Sequence, residues 1–184
     1  MTSIRRSTAL MAGPALAILI ATSVTAGPAS PRHAHGTFID ASGTQIGWLR
    51  LTQDDHGDVH VNVHVKGLAA GLHGIHIHAV GVCAPTFAAA GGHYNPLGHE
   101  HGLDNPDGAH AGDLPNLIVN GDGVGHLNGR TDRVTLSDGG ATLFDPDGSA
   151  FIIHANTDDQ VTDTGPDGPG GSGARIACAV VVAD

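Results

Sequence analysis

From Val59 to Lys66 the chain reads VHVNVHVK, a strict alternation of apolar and polar residues. Successive side chains of a strand point to opposite faces, so Val59, Val61, Val63 and Val65 form one surface and His60, Asn62, His64 and Lys66 the other. On a helix the same valines would be spread around the axis. The valine face predicts a buried core, and His60 and His64 are expected to point to solvent.

Shorter runs of the same kind lie at residues 37–40, 45–52, 117–119, 125–128, 133–136, 151–154 and 176–182. Turn-forming clusters separate them, such as DDHGD at 54–58. No internal repeat is visible, and no helical pattern outlasts a turn or two. Several short strands divided by turns predict an all-β antiparallel sandwich or barrel. Two stretches break the pattern. Residues 84–115 are rich in Gly, Pro, Asn, Asp and His without a period, and 163–173 read DTGPDGPGGSG. A loop as long as the first is uncommon unless it is functional or pinned.

The N-terminal segment follows different rules. Arg5 and Arg6 precede an apolar run that closes on Val24-Thr25-Ala26. This is the pattern of a secretory signal peptide over residues 1–26. The run is too short and too interrupted for a membrane span, so no stable membrane insertion is expected after cleavage. Residues 27–36 are expected to form a flexible tail, with His33 and His35 in it, and 37–184 a single domain. Cleavage would leave six basic residues against 18 acidic ones, a net charge of −12. Such a surface repels nucleic acid and anionic lipid. In an exported chain the two cysteines, Cys83 and Cys178, read as a disulfide. It would close a loop of about 95 residues and contribute roughly 4–5 kcal/mol.

Fourteen histidines is the unusual count. Three of them, His73, His76 and His78, fall in GLHGIHIHAV at 71–80. On a strand His76 and His78 share a face while Ile75 and Ile77 fill the other. Two imidazoles so placed can grip one metal ion, although a hydrogen-bonded pair of core histidines would give the same pattern. The long loop adds His93, His99, His101, His110 and Asp113, and His154 ends the apolar run FIIH. Imidazole is the common ligand of copper and zinc, and a carboxylate can complete a zinc site. A metal would also explain how so long a loop stays ordered.

These residues carry a resemblance. GLHGIHIHAVGVC (71–83), GGHYNPLG (91–98), HG (101–102), HAGDLPNL (110–117), FIIHANTDD (151–159) and ARIAC (174–178) occur in the order and spacing of a copper/zinc superoxide dismutase. From about residue 37 onward the chain resembles that family, and GVCAP and GDLP resemble its bacterial exported branch. The resemblance implies a Greek-key antiparallel β-sandwich or flattened barrel of about eight strands with two long functional loops. It implies copper held by His76, His78, His93 and His154, and zinc held by His93, His101, His110 and Asp113. Asp158 would hydrogen-bond a copper histidine and a zinc histidine together. Cys83 and Cys178 would form the family disulfide, and Arg175 would receive the anion beside the copper.

His99 lies two residues before His101, and the family spacing selects His101. His73 would be structural, bonded to backbone, and His126 exposed. The implied activity is conversion of superoxide to oxygen and hydrogen peroxide in the periplasm, cell envelope or medium, by a monomer or a homodimer. The alternative is a non-catalytic copper/zinc binding or storage module with the same fold. One departure stands out: residues 156–174 hold Asp158, Asp159, Asp163 and Asp167 but no Lys or Arg. Weak long-range guidance of an anionic substrate is therefore expected.

Overall fold

The computed structural model describes residues 32–184 of the 184-residue chain. The signal peptide expected at residues 1–26 lies outside them. Ten strands run in chain order: β1 (His33–Asp40), β2 (Gln45–Gln53), β3 (Val59–Lys66), β4 (Gly71–His73), β5 (Ile75–His78), β6 (Leu117–Val119), β7 (Val124–Thr131), β8 (Ala150–His154), β9 (Arg175–Val180) and β10 (Val182–Ala183). The only helical segments among the described residues are 3₁₀ turns at Phe87–Ala90 and Pro169–Gly171. None is long and apolar enough to cross a membrane.

The strands pair antiparallel along the path β4-β6-β7-β3-β2-β1-β9-β8-β5, with β10 against β1. Its two ends, β4 and β5, are parts of one stretch divided at Gly74. The sheet is thus a nearly closed barrel. After the β1–β2–β3 meander the chain crosses to β4 and β5, and β6 and β7 return to close against β3.

The valine prediction holds. Val59, Val61, Val63 and Val65 are buried with Phe38, Leu49, Leu51, Ile75, Ile77, Phe151 and Ile153 in one core. Each such side chain contributes roughly 1.5–3 kcal/mol of transfer free energy. A second, smaller cluster packs Phe87 and Ala90 against Ala150, Ile152 and Cys178. The start of the long loop therefore lies on the outer side of β8 and β9. It is fastened there by the Cys83–Cys178 disulfide, which spans a sequence separation of 95.

Two expectations need correction. Residues 33–36, expected within a flexible tail, belong to β1, which pairs with β2 from His33↔Thr52 onward. Residues 133–136 do not form a strand. Val134 and Leu136 are buried there, but only Thr135 pairs, in an isolated bridge to Thr142. The expectation of about eight strands holds: the described residues form ten because 71–78 breaks at Gly74 and the final strand breaks after Val180.

Candidate metal centre

Strand β5 carries out two tasks. Ile75 and Ile77 enter the core, while His76 and His78 are equally buried on the other side. Across the β5–β8 ladder His76 faces Ile152 and His78 faces Ala150. His154 ends β8 at a register irregularity, opposite Arg175 of β9. The long loop is stitched back onto β5 by the bridges His78↔His93 and His76↔Asp113. Sequence-distant histidines are thereby brought round a single point.

Each of three imidazoles has one nitrogen engaged and one without a partner. His78 Nδ1 donates to the Gly91 carbonyl at 2.9 Å, and His154 Nδ1 donates to the Gly173 carbonyl at 3.0 Å. His76 Nε2 meets Asp158 Oδ2 at 2.5 Å. The opposite atoms, His76 Nδ1, His78 Nε2 and His154 Nε2, are buried with no hydrogen-bond partner. Leaving such atoms unpaired is costly, and the engaged nitrogens fix which ones carry lone pairs. With His93 these three histidines offer ligand atoms within 4.8 Å of one another. This donor set fits a metal ion that favours imidazole, such as copper.

A second group adjoins the first through His93, whose ring centroid is 4.1 Å from that of His76 and 5.3 Å from that of His110. His93 Nδ1 lies 3.2 Å and His101 Nδ1 3.0 Å from Asp113 Oδ1. His110 Nδ1 is 3.3 Å from His93 Nδ1 and 3.4 Å from Asp113 Oδ1. The other oxygen, Asp113 Oδ2, accepts the backbone N–H groups of Gly102 and His110. Three imidazole nitrogens and one carboxylate oxygen converge, a donor set suited to four-coordinate zinc.

Asp158 ties the groups together. Its Oδ2 meets His76, and its Oδ1 lies 3.1 Å from His101 Nε2. Gly170 lies against it. A Cβ there would stand 2.0 Å from Asp158 Oδ1, and the φ of +64° is also one that other residues rarely adopt.

The electrostatics follow from burial and these contacts. Burial pushes His76 down to about 3, His78 to about 2 and His154 to about 4, so all three are neutral at pH 7. Burial also lowers His93, with Asp113 opposing. His101 goes the other way. Burial disfavours its charge, but hydrogen bonds to Asp113 and Asp158 raise it to about 9. Burial alone would raise Asp113 and Asp158, but their histidine partners hold both well below the usual carboxylate range.

The structure brings together His76, His78, His93, His101, His110, Asp113, His154 and Asp158. Arg175 stands at the edge, its guanidinium held by the carbonyls of Phe87 and Gly91, both at 2.7 Å. Its charge acts against protonation of His78 and His154. His99 is exposed, and its backbone N–H and carbonyl bond the Asn95 side chain. His73 is structural, its ring nitrogens 2.8 Å from the His154 carbonyl and 3.0 Å from that of Ala69. His60 pairs with Asp54.

Three supporting residues escaped the sequence reading. Asn116 pairs in both directions with the Asp158 backbone, at 2.8 and 2.9 Å. Arg133 donates to the Asp113 carbonyl at 2.6 Å, and Asp163 accepts the His101 N–H at 2.7 Å. Only the position of Asn116 within HAGDLPNL hinted at a role.

A histidine cluster with two adjoining donor sets that could hold metal ions is thus set on an antiparallel barrel. The sequence model of the copper/zinc superoxide dismutase family matches residues 45–181. The chain belongs to that family. It is 40% identical over 152 residues to superoxide dismutase-like protein YojM of Bacillus subtilis, covering 80% of this chain and 75% of that one. It is 39% identical over 151 residues to superoxide dismutase [Cu-Zn] 2 of Aquifex aeolicus, covering 80% and 85%. The crystal structure of a superoxide dismutase-like protein from Bacillus subtilis superposes with a TM-score of 0.71 at 37% identity, covering 80% of this chain and 97% of that one.

Proposed function

We propose that the chain is an exported superoxide dismutase with copper at His76, His78, His93 and His154 and zinc at His93, His101, His110 and Asp113. The observation that carries this is the set of three buried, partnerless nitrogens, His76 Nδ1, His78 Nε2 and His154 Nε2, beside His93. When bound, copper supplies one-electron redox chemistry that turns two superoxide anions and two protons into oxygen and hydrogen peroxide, while redox-silent zinc supplies fixed charge.

The chain supplies the rest. The carbonyls of Gly91 and Gly173 and the Asp158 carboxylate hold three rings in the tautomers that face the first donor set. His93 belongs to both sets. With Nδ1 turned to Asp113, its Nε2 is the atom left to face the first set and to carry a proton. Asp113, fixed from behind by backbone N–H groups and Arg133, holds the loop in place. Arg175 supplies the positive charge that draws superoxide to the rim.

Export rests on the signal-peptide pattern at residues 1–26 and is supported by the disulfide. A second reading, a non-catalytic copper/zinc binding or storage module, is favoured by one relative's being named superoxide dismutase-like. Metal content and superoxide consumption of the purified protein separate the two. Turnover with both metals bound, abolished in His154→Ala with zinc retained, supports the enzyme. Zinc without copper, and no turnover after copper loading, overturns it. Recovery outside the cytoplasm with an N-terminus near Gly27 tests export.

A further inference from the structure

His64 and His126 lie outside the buried cluster, on the solvent face of the sheet opposite the valine core. They are direct cross-strand partners on β3 and β7. Directly opposed residues of an antiparallel pair bring their side chains into contact. Here the ring centroids are 4.6 Å apart and the two Nδ1 atoms face each other at 3.3 Å. Among the described residues no other hydrogen bond engages either ring. On its other side His64 is stacked by Trp48 of β2, its partner in the ladder, at 5.7 Å and 27°. The pair is therefore held by two ladders and a stacked ring, not by long mobile stems.

We propose that His64 and His126 form a second, surface copper(II) site independent of the buried centre. Two ligand bonds of about 2.0–2.1 Å at angles between square and tetrahedral separate their nitrogens by roughly 2.9–3.4 Å. The observed 3.3 Å lies in that range. Without a metal, one ring donates to the other across the same gap. Two imidazoles with the remaining positions open to water favour copper(II) over the other first-row divalent ions. Arg50, 5.1 Å from the Trp48 ring centre, and Lys66, two residues from His64 on the same face of β3, oppose a cation there, against an overall net charge of −10. Metal is thus held on the outer face, at exchangeable affinity, on the far side of the core from the redox centre.

Trp48 is the sole tryptophan and stacks on His64, so its emission reports on copper bound at this pair. The protein is first loaded with copper and zinc at the buried centre. Copper(II) is then added at pH 7.5 while Trp48 emission is recorded. A saturable quench with one further copper bound per chain, reversed by chelator, is expected. His64→Gln and His126→Gln should each abolish it, with superoxide consumption unchanged, while His60→Gln retains it. Absence of a saturable quench in the wild type, or its survival in either variant, overturns the proposal.

Discussion

The carbonyl oxygen of Gly91 accepts hydrogen bonds from both His78 Nδ1 and Arg175 Nη2, at 2.9 and 2.7 Å. One backbone atom thus orients a ring of the first donor set and the guanidinium beside it. Arg175→Ala should leave metal content intact and lower kcat/KM about tenfold, as expected when local attraction of an anion is lost. Arg175→Lys should recover only part, because an ammonium cannot reproduce the two-carbonyl grip on Phe87 and Gly91. Superoxide consumption at equal copper content is the measurement.

Salt should matter little. Arg130 is paired with Asp58 and Arg133 is committed to the Asp113 carbonyl. Residues 156–174 supply only acids. With Arg175 acting at short range, the rate should fall shallowly between low and physiological ionic strength. A steep fall would reveal a guiding basic patch.

Asp158→Asn keeps the shape but weakens the hold on His76 and His101 together. Loss of such an outer partner costs roughly 10–100-fold in metal affinity. Both donor sets should loosen, because Oδ2 serves one and Oδ1 the other. Competition against a chelator, run separately for copper and zinc, tests this. Loss at one set only would contradict the shared role.

The metal-free protein should be most stable near pH 6.5. His76, His78 and His154 sit at about 3, 2 and 4, below the unfolded value near 6.5, so their contribution is lost as pH falls from about 6.5. His101 sits at about 9, above the unfolded value, so its contribution is lost as pH rises from about 6.5 to 9. Zinc replaces the proton on the ring, so the alkaline decline should vanish in the zinc-loaded protein. Thermal unfolding across pH 5–9, with and without metal, reads both arms.

Removing the disulfide in Cys83→Ser with Cys178→Ser should cost about 4–5 kcal/mol, given the 95-residue separation. It should also free the Phe87–Ala90 turn, and with it the carbonyls that hold Arg175. Denaturant unfolding gives the first effect, and kcat/KM at full metal content the second.

The strand pattern was legible where side chains are large. VHVNVHVK and IHIH announce their faces because the pleat and the sequence share a period of two. The first half of β1 was not, because its inward residues are Ala34 and Gly36, too small to register as apolar alternation. Gly36 has to be small, since a Cβ would stand 2.7 Å from the Val180 carbonyl. Residues 133–136 misled in the opposite sense: Val134 and Leu136 alternate and are buried, but the neighbouring backbone supplies only one bridge.

In the centre the donor residues were legible as types and spacings. The clamps were not. Asn116, Arg133 and Asp163 act on backbone groups of Asp158, Asp113 and His101, and a backbone partner leaves no signature in sequence.

The strand path begins and ends within residues 71–78, where His76 and His78 sit. A sheet that nearly returns to itself leaves little open edge for another chain to add to. The stretch that carries two rings of the first donor set is therefore also the seam of the barrel. If that seam opened, two edges would appear at once, one on β6 and one on β8. Resistance to templated, strand-by-strand assembly comes to this protein through the way its histidine cluster is built.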